Sequence, residues 1–226
     1  MSELGIRWRH LQGSGLYFYS RVLARTARIH VEGWENYTNT GDDGRPLLWS
    51  FWHGQLMPFI TFGQRYLDAS DFVVITVGDD RNDTLGTFAR RLGGVSVGVD
   101  MQGNPFAAGR AVLRVIKAMK SGRQSVLAPD GPDGPVFTPK AGVAVLAQKA
   151  GASILPVGAW TRHALQMKRW DRYLLPLPFA RYSIVIGQSL TAQPDGDQHQ
   201  LLAQISSSLH EVRARAQVLA GVRPWR

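Results

Sequence analysis

Short apolar runs alternate with segments of helical periodicity along this chain. That order predicts an α/β fold: a single domain with a mainly parallel central sheet flanked by helices. Two observations carry the prediction. Leu47–Trp52, Phe72–Val77 and Ile154–Trp160 are continuous apolar runs of strand length, as strands buried on both faces require. Between and after them, apolar residues recur at steps of three and four, most clearly at Ile205, Leu209, Val212, Ala216 and Leu219.

Taken in order, residues 1–27 form an N-terminal amphipathic helical segment, and 28–226 the α/β domain. Leu4, Leu11, Leu16, Phe18, Val22 and Leu23 give the first helix an apolar side, while Trp8, Tyr17, Phe18 and Tyr19 sit among arginines. That composition suits a helix lying on a membrane interface, and equally a helix packed on the core. Ile29–Glu32 reads as a strand and 36–46 as a polar loop. Strand 47–52 ends at His53-Gly54, and an apolar helix over 55–67 follows. After strand 72–77 comes a polar loop at 78–83, a helix over 84–92 and a strand over 95–99. The helix at 107–119 and the strand at 125–128 lead into 129–139, whose proline density excludes both regular structures. Helix 143–150 and strands 154–160 and 182–186 precede the last helix.

The 226 residues include no cysteine, which excludes disulfides, a thiolate nucleophile and sulfur-ligated zinc, and no metal site is expected. No continuous apolar stretch follows Arg7 and Arg9, so no signal peptide is expected, and no run is long enough to span a bilayer. A formal net charge of +9 attracts polyanions. The basic residues are split between the two ends (Arg7, Arg9, Arg21, Arg25 and Arg28; Arg213, Arg215, Arg223 and Arg226), and no Arg/Lys-rich run with interleaved aromatics reads as a nucleic-acid platform, so no nucleic-acid partner is expected.

Three loops follow strands, at His53, at 78–83 and at 129–139, and such loops converge at the carboxyl edge of a parallel sheet. His53, rigidly held between strand and helix, has the chemistry of a general base near neutrality. Taken alone, a structural histidine is the commoner outcome. Ala128-Pro129-Asp130-Gly131-Pro132-Asp133-Gly134-Pro135 is a rigid turn in which glycines allow close approach and Asp130 can accept hydrogen bonds from His53 or from a substrate hydroxyl.

Trp52-His53-Gly54, Pro129-Asp130-Gly131-Pro132 and Ile154-Leu155-Pro156-Val157, in that order, resemble the lysophospholipid acyltransferase superfamily, with its glycerolphosphate acyltransferase-like fold. The likeness is strongest to a bacterial branch of unknown function, which shares the Trp-His-Gly step, Pro-Asp-Gly-Pro-x-Gly-Pro and a segment like Trp170 to Phe179. It covers about residues 28–190. Departures are specific. The family's usual acid, five residues after the histidine, is Pro58; 78–83 lacks the branch's Ser-x-x-x-Asp-Gly-Glu; the Arg-Gly-Ser that normally follows the next strand is replaced near Gly98-Val99-Asp100; and Asp133 stands where an arginine is usual.

The resemblance implies an enzyme moving an acyl group from a thioester, acyl-CoA or an acyl carrier protein, to a lysolipid or related hydroxyl or amine acceptor. It would work without a cofactor, on the inner, cytoplasmic face of a membrane. His53 is then the base. Asp130 orients it or binds the acceptor, and Asp80 or Asp83 is the alternative orienter. The main-chain N–H groups around Gly131 and Gly134, with Lys140 or Arg110, meet negative charge. The terminal arginines meet anionic lipid. Leu56, Met57, Phe59 and Phe62 line an acyl groove or, in the plainer reading, pack the core. The rival expectation is a catalytically degenerate lipid-binding protein on the same fold. A nucleic-acid module and a Ser-His-Asp hydrolase are weaker, the latter because Gly-x-Ser-x-Gly is absent.

Overall fold

A computed structural model describes residues 3–40, 44–77, 79–99 and 105–222. The elements are α1 (Glu3–Thr26), β1 (Arg28–Glu32), α2 (Trp34–Thr38), β2 (Leu47–Ser50), α3 (Leu56–Tyr66), β3 (Phe72–Val77), α4 (Asp79–Leu92), β4 (Val95–Val99), α5 (Pro105–Lys120), β5 (Gln124–Leu127), α6 (Ala141–Ala150), β6 (Ser153–Trp160), β7 (Ala164–Gln166), β8 (Leu174–Pro176), β9 (Arg181–Ile186), β10 (Leu190–Thr191) and α7 (Gln198–Leu219). The main sheet runs β1-β9-β6-β2-β5-β3-β4, with β10 on the start of β6. From β6 to β4 neighbouring strands are parallel; β9 is antiparallel to β6, and β1 is parallel to β9.

β2 and β6 are buried along their whole lengths. Strand residues alternate faces, so Leu48 and Ile154 enter one core with Val115, Met119, Leu146 and Leu209 from α5, α6 and α7. Trp49 and Leu155 enter the other, with Phe59 and Phe62 of α3. Met57 is buried as well, so the stripe expected to line an acyl groove is core packing instead: Phe59 stacks on Phe51 at 4.2 Å. Pro58 sits in the first turn of α3, where a helix needs no main-chain N–H from it.

Three sequence expectations change. Part of the expected loop at 36–46 is the short α2. The polar stretch 78–83 was expected to be a loop, but α4 begins at Asp79, because its polar residues can occupy the first turns of a helix before the apolar face starts. The segment between β6 and β9 forms a separate hairpin of β7 and β8, which no periodicity in so short a run announces. The main architecture is the expected one, with α1 packed on α3 and α4.

α7 crosses β6 closely at Gly158, where a Cβ would stand 2.1 Å from the Val212 carbonyl oxygen. Gly158→Ala is expected to cost about 1–3 kcal/mol by overpacking, lowering the thermal midpoint by roughly 2–10 °C. Gly15→Ala, in open space on α1, should instead stabilise by about 0.5–1 kcal/mol. Thermal unfolding followed by circular dichroism checks both.

Candidate active site

β2 and β5 are parallel neighbours in which Ser50 faces Leu127. Three residues beyond each partner stand His53 and Asp130, so the two motifs meet by register. Asp130 is fully buried. One carboxylate oxygen accepts the His53 main-chain N–H at 2.9 Å, and the other accepts the Phe137 N–H at 3.1 Å. Burial pushes this carboxyl above the usual aspartate range, against the opposing pull of those N–H groups. The expectation that Asp130 orients the imidazole is therefore corrected: its oxygens bond main-chain N–H groups, and neither bonds the ring.

The ring is held from elsewhere. His53 Nδ1 lies 2.8 Å from Oδ2 of Asp171, a carboxylate with no exposed side-chain surface, while the imidazole is 22% exposed. A carboxylate only accepts, so Nδ1 carries the proton, and Nε2 is the nitrogen left for proton exchange. Asp171 also accepts the Tyr173 N–H at 3.3 Å, and Arg169 approaches it at 3.4 Å. Trp170 packs beside the imidazole, with ring centroids 5.3 Å apart.

Asp171 lies between β7 and β8, and glycine makes its approach possible. A Cβ on Gly54 would stand 2.2 Å from the Asp171 carbonyl oxygen, and one on Gly131 would stand 2.9 Å from His53 Cδ2. Phe137 (φ 59°) and Arg172 (φ 50°) hold left-handed backbone conformations unusual for bulky residues, and both adjoin this site. Phe137 is braced by the Arg213 guanidinium, 4.2 Å from its ring centroid. Burial, with Arg172 nearby, brings the pKa of Arg213 down to about 10.

The remaining expected site residues divide. Gly131 N–H already donates to the Ala128 carbonyl and Gly134 N–H to that of Asp130, so the amides expected to meet an oxyanion are spent inside the turn. Lys140, just before α6, and Arg110, on α5, are exposed and touch neither His53 nor Asp171. Asp80 and Asp83 fall in the first turns of α4, with side chains outside the described residues. Arg213 is buried and Arg215 makes a two-pronged pair with Glu32 at 2.8 Å, so these two C-terminal cations form no free basic surface; Arg223 and Arg226 lie outside the described residues. The cavity beside Asp171, lined by Gly54, Gln55, Phe137 and Arg213 among others, encloses about 10 Å³, room for a water-sized occupant and not an alkyl chain. A larger depression of about 360 Å³ opens at the opposite end of the sheet, by Leu47 and Gln124.

No protein-family model matches the chain. It is 25% identical over 185 residues to the uncharacterized protein RP090 of Rickettsia prowazekii, covering 80% of each chain. The crystal structure of the 1-acyl-sn-glycerophosphate acyltransferase PlsC from Thermotoga maritima superposes with a TM-score of 0.58 at 18% identity, over 98% of this chain and 81% of that one. The fold is thus acyltransferase-like.

Gly54→Ala is expected to push the hairpin off the imidazole. Nuclear magnetic resonance should then lose the low-field signal of the His53 Nδ1 proton, with a stability cost of about 1–3 kcal/mol.

Proposed function

We propose that the chain is an acyltransferase that carries a fatty acyl group from a thioester to a hydroxyl or amine of a lysolipid-like acceptor, at the cytoplasmic face of a membrane. The observation that carries this reading is the dry carboxylate on Nδ1 of a part-exposed histidine, set at the carboxyl edge of an acyltransferase-like sheet. Nε2 takes the proton from the acceptor as its oxygen or nitrogen attacks the thioester carbonyl. The new bond to the acyl carbon forms and the carbon–sulfur bond breaks. A simple thiol has a pKa of about 8.5, so its thiolate leaves with little help and regains a proton from the imidazolium or from water. The donor, acyl-CoA or an acyl carrier protein, is a co-substrate rather than a resident cofactor.

Asp171 serves as positioning residue. It fixes the tautomer and stabilises the imidazolium that forms, the part that the carboxylate plays in a histidine–aspartate couple. An imidazole held by a buried carboxylate on Nδ1 while part of the ring stays exposed suits proton transfer, which favours turnover over the binding reading. Pro58 stands at the acid's usual place, and Asp171, between β7 and β8, fills the same need at Nδ1.

The assay is thioester consumption by the purified chain with lysolipid acceptors. His53→Ala should lower the rate by about 10²–10⁴-fold. Asp171→Asn should fall within the same range, and the double variant should be no slower than His53→Ala alone, since the two residues act as a unit. Absence of acyl transfer by the wild-type chain to any hydroxyl or amine lipid acceptor, with either donor, would overturn the proposal.

A further inference from the structure

A buried cation in α7 has no protein counter-ion. Arg213 is only 5% exposed, and its guanidinium makes neither a hydrogen bond nor an ion pair among the described residues. Its contacts are ring faces: the centroid of Phe137 lies 4.2 Å away and that of Trp160 5.7 Å. Rings attract a cation but do not take up the N–H groups that spread in the plane of a guanidinium. Arg172 adds a charge of the same sign, and with burial it brings the pKa of Arg213 down to about 10, so the side chain is still charged at neutral pH.

A second unpaired polar group faces the same cavity. Gln55, two residues after His53, is 2% exposed, and neither its amide nitrogen nor its amide oxygen has a partner. Gln55, Arg213 and Arg172 line the cavity beside Asp171, and Phe137, Trp160 and Leu174 supply apolar walls. Buried polar groups are as a rule hydrogen-bonded, and a buried charge left alone is costlier still.

Among the described residues that line this cavity, Asp171 is the one acid, and it does not answer Arg213. Its Oδ2 lies 2.8 Å from His53 Nδ1 and 3.4 Å from Arg169, and its Oδ1 accepts the Tyr173 N–H. Two cations thus face one carboxylate that is already engaged. The space of about 10 Å³ admits one water-sized body, which excludes phosphate and carboxylate groups. Water would satisfy donors and leave the charge unbalanced. A monatomic anion does both: it neutralises the guanidinium and accepts from it and from the Gln55 N–H₂ at one point.

We propose that this cavity is a halide site, a single chloride ion held between the Arg213 guanidinium and the Gln55 side chain beside the His53–Asp171 pair. The bound ion ties α7 to the histidine turn, next to the β7–β8 hairpin. The site goes beyond the proposed reaction, and its test reads binding alone, so a silent active site and an absent ion give different results.

Crystals of the full chain soaked in sodium bromide, measured at the bromine absorption edge, should show an anomalous peak between Arg213 and Gln55. In solution, the chlorine-35 resonance of sodium chloride should broaden with wild-type protein, and bromide should reverse the broadening. Gluconate is too large for the cavity. Chloride at about tenfold excess over its dissociation constant should raise the thermal midpoint by roughly 3–6 °C over gluconate at equal ionic strength. Arg213→Met, uncharged and of similar length, should abolish the broadening. Gln55→Leu, which keeps the guanidinium, should weaken chloride binding by about tenfold or more, and it decides the matter with the bromide map if Arg213→Met does not fold. Lys149→Gln, an exposed cation on α6, controls for loss of a surface charge and should keep the wild-type broadening. A cavity that holds water without an anomalous peak overturns the proposal, as does broadening undiminished in both cavity variants.

Discussion

The buried carboxylate of Asp130 is the constraint from which the site is built. It accepts the main-chain N–H of the residue that ends β2's approach, His53, and that of Phe137 across the Gly/Pro turn. A buried acceptor left without these donors would cost on the order of several kcal/mol, so the two segments are tied together by satisfaction rather than by attraction alone. Because the bond is to the backbone of His53, it fixes where the side chain starts and leaves the ring free to be oriented by a different group.

That second group arrives from 118 residues away in sequence. The β7–β8 hairpin reaches over Gly54, where the lack of a Cβ lets the Asp171 main chain touch the backbone of the histidine turn. Two of the three left-handed non-glycine residues, Phe137 and Arg172, border this contact. Strain of about 1–3 kcal/mol at each persists only where surrounding packing holds it. Here the Arg213 guanidinium beneath Phe137 and the ion pair above supply the hold. Structure and chemistry thus divide between two acids: one sets the backbone, the other sets the tautomer.

Much of this was legible in the residues. Apolar runs at 47–52 and 154–160 marked the central strands because strands buried on both faces cannot alternate. The meeting of His53 with Asp130 followed from loops at the carboxyl ends of parallel strands. What escaped was non-local or too short for a pattern. Asp171 belongs to a hairpin of three-residue strands, and its only signal was an acid set among Trp170, Tyr173 and Leu174, where an unpaired charge would be costly. The Gly/Pro turn looked like a source of free amides, yet its own compactness consumes those of Gly131 and Gly134. The apolar residues after His53 suited a groove and a core equally; Trp49 and Phe51 decided for the core by packing on them.

The division of labour also accounts for Pro58. In a dyad drawn from one helix, base and acid share a single short segment, so the helix that follows the histidine must present both the core-facing stripe and the acid. Here that first turn is released from the second duty, and α3 becomes an almost wholly structural helix, with Met57, Pro58, Phe59, Thr61 and Phe62 buried. The orienting carboxylate moves to an element outside the main sheet, anchored through Pro176 and Phe179 to α1. A displacement of α1 or of the Phe179 loop is therefore felt at Asp171 through only a few residues of chain. On this fold the exposed Phe179 and the carboxylate that aims the imidazole lie on one continuous run of chain, from Asp171 through β8 to the loop after it.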